Sequence, residues 1–130
     1  DFSSGPKEQQ FLSLWNNLYK IYTRFRVTLQ SKGEAYEGMM YRSVAEAAKA
    51  SSASPDDDIV KGLQSVAGKY RKIVFVGLNA LNECEKELLR YLQREGVADF
   101  YWDFYGEEIK DESNKSSLFM KENLQRFPSL

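Results

Sequence analysis

Between Lys7 and Lys32 the apolar residues Phe11, Trp15, Leu18, Tyr22, Phe25 and Leu29 recur in alternating steps of four and three. That spacing keeps side chains on one stripe of a helix. Leu14 and Ile21 widen the stripe, Pro6 suits a first helical turn, and Gly33 is a natural stop. The pattern predicts a long helix with a wide buried face. A second helix is expected from Glu34 or Ala35 to about Ala50, with Tyr36, Met40, Val44 and Ala47 or Ala48 turned to the first across Gly33, as in a helical hairpin.

The polar stretch "SSASPDDD" reads as a loop into a third helix, with Ser54 as N-cap, Pro55 at the first position and three aspartates at the positive end of the dipole. Ile59, Leu63 and Val66 would be its apolar side. Ile73-Val74-Phe75-Val76 is a continuous apolar run of the kind found in strands covered on both faces. Asn82 and Glu85 have the spacing of a capping box, and Cys84, Leu88, Leu89 and Leu92 line the helix that follows, to a stop at Gly96. Beyond it Phe100, Trp102 and Phe104 alternate with Asp99, Tyr101 and Asp103, a second strand. Strand, helix, strand of this length predicts a right-handed parallel crossover. "YGEEIKDESNKSS" is expected to be a charged loop, and the last helix to run from about Ser116 to Arg126, with Leu118, Phe119 and Leu124 inward and Pro128 beyond its end.

The fold class that follows is α/β and mostly helical: an N-terminal helical hairpin packed with a small parallel βαβα unit. Residues 1–70 form the helical region and 71–130 the βαβα unit, together one compact body. Two parallel strands are marginal alone, so further strands are expected from a parent protein or from a partner chain.

Composition narrows the chemistry. The chain has 130 residues, 42% hydrophobic and 14% aromatic, enough apolar material for a core. One cysteine, Cys84, excludes an intramolecular disulfide, and the lack of histidine excludes a histidine-based zinc site and a Ser-His or Cys-His nucleophile. Net charge −1 and pI about 5.6 argue against a uniformly basic nucleic-acid module. The charge is uneven, however. Residues 1–72 carry 11 Lys and Arg against 8 Asp and Glu, and residues 73–130 carry 7 against 11, so a polyanion contact belongs in the first half. No apolar run reaches the length of a membrane span, and "DFSSGPKEQQ" has no signal-peptide pattern. A cytoplasmic location is expected. The missing initial methionine fits a piece of a longer protein.

Four groups of residues could carry chemistry. A phosphate loop needs Gly-x-x-x-x-Gly-Lys-Ser/Thr, which is absent, and "VGLNAL" holds one glycine where a dinucleotide fold needs three. Gly77 there reads as the residue of a tight turn. Asp99, Asp103, Glu107 and Glu108 are oxygen donors of the kind Mg²⁺ favours, but Asp99 and Asp103 would stand about 13 Å apart along a strand, too far for one ion. No metal is expected. Lys20 and Arg24, off the apolar stripe, with Arg26 nearby and Tyr19 and Tyr22 interleaved, have the character of a weak DNA-backbone contact, set against the simpler reading of a solvated face. Cys84 reads as packing, with no basic neighbour to activate it.

The segments "KGEAYEGMMYRSVAE", "IVFVGLNALNECEKELLRYLQREGVADFYWDF" and "FMKENLQRFP" together resemble an internal part of AddB-like subunits of bacterial helicase–nuclease machines. The similarity is to the Bacteroidetes-type proteins with a superfamily I helicase region and a terminal PD-(D/E)XK nuclease domain, and it spans most of residues 32–128. It implies that the hairpin is an insertion like the helicase 1B subdomain and that Ile73–Phe104 is part of a RecA-like, P-loop-type layer. It also implies action with a helicase–nuclease partner subunit on DNA ends in double-strand break repair. Working members of that superfamily end the strand matching Ile73–Val76 in an Asp-Glu pair that holds Mg²⁺. Here the degenerate positions are Gly77 and Leu78, which offer no side-chain oxygen. The resemblance therefore implies a helicase core that has lost its chemistry, with no catalytic residue and no cofactor in these residues. Such subunits often keep an upstream phosphate loop and an iron–sulfur nuclease domain, neither of which falls in this sequence. The rival expectation is a protein-interaction module, docking another subunit or a second copy through its helices or sheet edge. A stand-alone Mg²⁺-dependent phosphotransferase has least support.

Overall fold

The computed structural model describes residues 6–49, 57–111 and 113–129. Their order is α1 (Pro6–Ser31), α2 (Glu37–Lys49), α3 (Asp58–Lys69), β1 (Ile73–Val76), α4 (Glu83–Arg94), β2 (Ala98–Tyr101), α5 (Gly106–Lys110) and α6 (Lys115–Arg126). The class is mixed α/β, mostly helical, with a two-stranded parallel sheet among the described residues. Contacts divide the chain into residues 1–40 and 41–130; the sequence boundary at 70/71 was one of element content. No helix among the described residues is long and apolar enough to cross a membrane.

In residues 1–40, α1 begins at Pro6 and is closed by Gly33 at φ 69°. The Gly33 amide donates to the Gln30 carbonyl and the Glu34 amide to that of Leu29, the paired bonds that glycine in the left-handed region permits. Tyr36 then stacks on Phe25, ring centroids 6.1 Å apart. The expected burial of α1 is not found. Phe11, Trp15 and Phe25 are 60%, 63% and 53% exposed. The helix's 26 residues make a rod about 39 Å long, and its apolar stripe is exposed along its length from Phe11 to Phe25. On α2 the sequence placed Met40 inward, whereas Met39 is buried and Met40 exposed.

In residues 41–130 the core is an aromatic cluster on one face of the sheet. Phe100 and Phe127 are buried with Leu89, and Phe75, Leu78, Leu81, Ala98 and Trp102 pack around them. Phe100 stacks on Phe75 at 5.5 Å and on Trp102 at 6.0 Å, and meets Phe127 at 5.1 Å. Strands β1 and β2 pair in parallel register, Ile73 with Ala98 through Val76 with Tyr101, joined by α4. Asn82 and Glu85 form the expected capping box. Gly96, at φ 72°, ends α4 with its amide on the Gln93 carbonyl and the Val97 amide on that of Leu92. Toward α2, the Arg94 guanidinium donates to the Ala48 carbonyl, and Lys49 pairs with Glu87, which also binds Arg90. Those ties explain why Ala45 and Ala48 are buried.

Four expectations need correction. The first strand is covered on one face only: Ile73 and Phe75 are half-buried while Val74 and Val76 are exposed, because the core cluster lies on one side of the sheet. The third helix starts later than read. Asp57 is its N-cap, its carboxylate accepting from the Ile59 amide at 2.8 Å, and aspartate caps as well as serine; Ser54, Pro55 and Asp56 lie outside the described residues. Its buried side is Leu63 and Ala67, with Ile59 and Val66 exposed. Strand β2 stops at Tyr101, leaving Phe104 exposed, and the charged loop contains the single-turn helix α5. Finally, α6 turns Ser117, Met120 and Asn123 inward, with Phe127 just beyond its end, while Leu118 and Phe119 are exposed. Tertiary anchoring sets that face: Phe127 fills the cluster, and its carbonyl accepts from Trp102 Nε1 at 2.7 Å.

Candidate functional site

In open α/β sheets ligands settle beyond the carboxyl ends of the strands, so the tip of β1 is the place to test for nucleotide chemistry. Gly77 there sits at φ 70°, its amide donating to the Tyr101 carbonyl and so extending the ladder by one bond. A Cβ on Gly77 would meet nothing within 4 Å. Its positive φ, a left-handed turn, is what favours glycine at this position. Leu78 and Leu81 turn back onto the core cluster. Between them the Asn79 carbonyl accepts from Asn123 Nδ2, an amide 1% exposed. The loop after β1 is thus pinned from below by α6.

The amino terminus of α4 is likewise occupied. A helix start offers free amides to a phosphate, but here the Asn82 side chain accepts from the Glu85 amide at 2.9 Å and Glu85 Oε2 takes the Asn82 amide at 2.7 Å. Glu83 and Glu85 place two carboxylates in the first turn, where a polyphosphate would be repelled. Glu83 is held below its ordinary pKa by its hydrogen bond from Lys86, so it stays charged. Lys86 is buried and spans from Glu83 at 2.9 Å to Glu122 at 3.0 Å, and these bonds raise its pKa. It serves as a tie between α4 and α6.

Beyond the strand ends lies a hollow of about 120 Å³ lined by Asn79, Asp103, Phe104, Tyr105, Ile109, Asn114, Ser117 and Met120. Small-molecule sites typically measure roughly 300–1,000 Å³. This one has room for a few waters only. No family model, curated protein or solved structure matches this chain. Its chemistry must be read from its own residues.

The carboxylates among the described side chains do not converge; that of Glu108 lies outside them. Asp99 pairs with Lys72 at 2.8 Å, Asp103 lines the hollow, and Glu107 Oε2 accepts from the Tyr105 hydroxyl at 3.3 Å. Among the described residues no three acidic or thiol groups cluster as metal ligands. Cys84 is half-buried in the first turn of α4.

Of the cations, Lys20 and Arg24 stand one turn apart on α1 and, with Tyr19, Thr23 and Val27, line a shallow surface hollow. Arg26 lies elsewhere. At about 100° per residue it is about 200° round the helix from Arg24, half-buried beside the apolar stripe. The helix thus joins two of the three residues and separates the third. Sequence reading missed Asn123 and Lys86, whose roles depend on partners 44 and 36 residues away. Nothing in the local pattern marks such partners.

Proposed function

We propose that this chain is a non-catalytic α/β segment of a DNA-repair helicase–nuclease subunit, an inactivated superfamily I helicase core of the AddB-like kind. The non-catalytic half of that reading rests on one observation: the groups around the tip of β1 are engaged by the protein itself. Leu78 and Leu81 lie on the core, Asn123 holds the Asn79 carbonyl, and Glu85 caps the helix start. The family half rests on the ordered resemblance along residues 32–128. In this reading β1–α4–β2 is part of a RecA-like layer, α1 and α2 belong to a 1B-like insertion, and the work is done with a helicase–nuclease partner in the cytoplasm. Lys20 and Arg24 supply a weak contact to the DNA backbone. An anisotropy titration with single- and double-stranded DNA tests it. Binding at low salt should fall with a log–log slope of about −2 on duplex, as two phosphate contacts require, and should vanish in Lys20→Glu/Arg24→Glu. Absence of binding at the lowest salt removes the DNA clause.

A second reading, a protein-docking module, is favoured by a separate observation. The apolar stripe of α1 and the outer sheet face at Val74, Val76 and Tyr101 are exposed, and surface of this extent marks interaction sites.

A further inference from the structure

The apolar stripe of α1, exposed from Phe11 to Phe25 and half-buried at Leu29, has a spacing that a second copy of itself can match. Phe11, Trp15, Leu18, Tyr22, Phe25 and Leu29 keep the four-three spacing unbroken, the a and d positions of a coiled-coil seam. The series reads the same in both directions about Lys20. A two-fold axis there, with a second helix running antiparallel, sets Phe11 against Leu29, Trp15 against Phe25 and Leu18 against Tyr22, each layer using one residue from each copy. A parallel pairing would instead stack Trp15 on itself beside a layer of two leucines, giving layers of unequal thickness. We propose that α1 is a self-complementary, antiparallel dimerisation surface whose occupant is the α1 of a second copy of this chain.

Charge and area agree. Lys20 and Arg24 fall on the side of the helix away from the seam, so the like charges of two copies stand apart. Arg26 flanks the seam, where the antiparallel partner presents Leu12 and not another cation. Between Gln9 and Ser31 there is no acidic residue, so no carboxylate is buried by pairing. A whole aromatic side chain carries roughly 150–250 Å², so the exposed parts of the seam residues Phe11, Trp15, Leu18, Tyr22 and Phe25 come to about 500–600 Å² per copy, and the flanking Leu12, Leu14, Tyr19 and Ile21 raise the area on offer to about 1,000 Å². A standard interface takes about 800 Å² per partner. Self-pairing of an isologous patch is also the commonest route to a dimer.

This inference rests on the docking reading and names its partner. Sedimentation of the full chain, from low micromolar concentration upward, should show a species of twice the 15.0 kDa chain mass. The double variant Trp15→Glu/Phe25→Glu should sediment as a monomer with its helical circular dichroism retained. In a Cys84→Ser background, Tyr19→Cys, which an antiparallel dimer brings beside its own copy, should cross-link under mild oxidation. Trp15→Cys, self-facing only in a parallel pair, should not. A dimer that survives the double variant, or one that cross-links through Trp15→Cys and not Tyr19→Cys, overturns the proposal. So does a monomer at every concentration. In that last case, binding of an apolar fluorescent dye that the double variant abolishes leaves docking to a different protein standing, whereas no such binding overturns the docking reading as well.

Discussion

Asn82 and Glu85 satisfy each other's backbone amides at the start of α4, and the residues that do so are three apart in the chain. Replacing Asn82 by alanine should cost about 1 kcal/mol, read as a lowered urea midpoint with unchanged slope. Phe127, with 0% exposure, is a different kind of residue: it closes the aromatic cluster from beyond the end of α6. Phe127→Ala should cost about 3–5 kcal/mol by transfer and cavity terms together, measured the same way. The contrast explains what could be read in advance. The capping box and the glycine stops at Gly33 and Gly96 were legible because their partners lie within one helical turn. Asn123 was not, since a buried amide bonded to the Asn79 carbonyl looks in sequence like any polar residue on a helix.

At the scale of elements, α4 and α6 are joined by Lys86 between Glu83 and Glu122, and that junction should respond to pH at both ends. The pKa of Lys86 is raised by its bonds to Glu83 and Glu122. Its contribution to stability is therefore full below the ordinary lysine value of about 10.4 and is lost as pH rises through the higher folded value. Glu83 is lowered by Lys86, so its contribution is full above the ordinary value of about 4.3 and is lost as pH falls through the lower folded value. Between those limits the junction should be insensitive to pH. Urea midpoints measured across pH should show both losses in the natural chain, and Lys86→Met should reduce the dependence at each end, leaving the parts carried by Asp111, lowered by its bonds from Ser113, and Tyr91, raised by burial. The elements themselves were mostly legible, their faces less so. On α3 and α6 the inward side differs from the one the most apolar residues suggested, because Ala67, Ser117 and Asn123 are buried by what they meet. Likewise the apolar run of β1 promised cover on two faces, yet a two-stranded sheet with one core cluster can give it only one.

For the whole molecule, apolar residues divide between a closed core and two exposed faces. The core of residues 41–130 is closed around Phe100 and Phe127, while the long stripe of α1 and the outer sheet face remain exposed. Where a nucleotide would sit, there is a hollow of about 120 Å³ and a helix start capped by its own carboxylate. The most direct test is calorimetric titration of the full chain with Mg²⁺–ATP. No saturable binding should appear up to millimolar nucleotide, about the −4 kcal/mol level. Micromolar binding that depends on Mg²⁺ and is altered by substituting Leu78 would contradict the account.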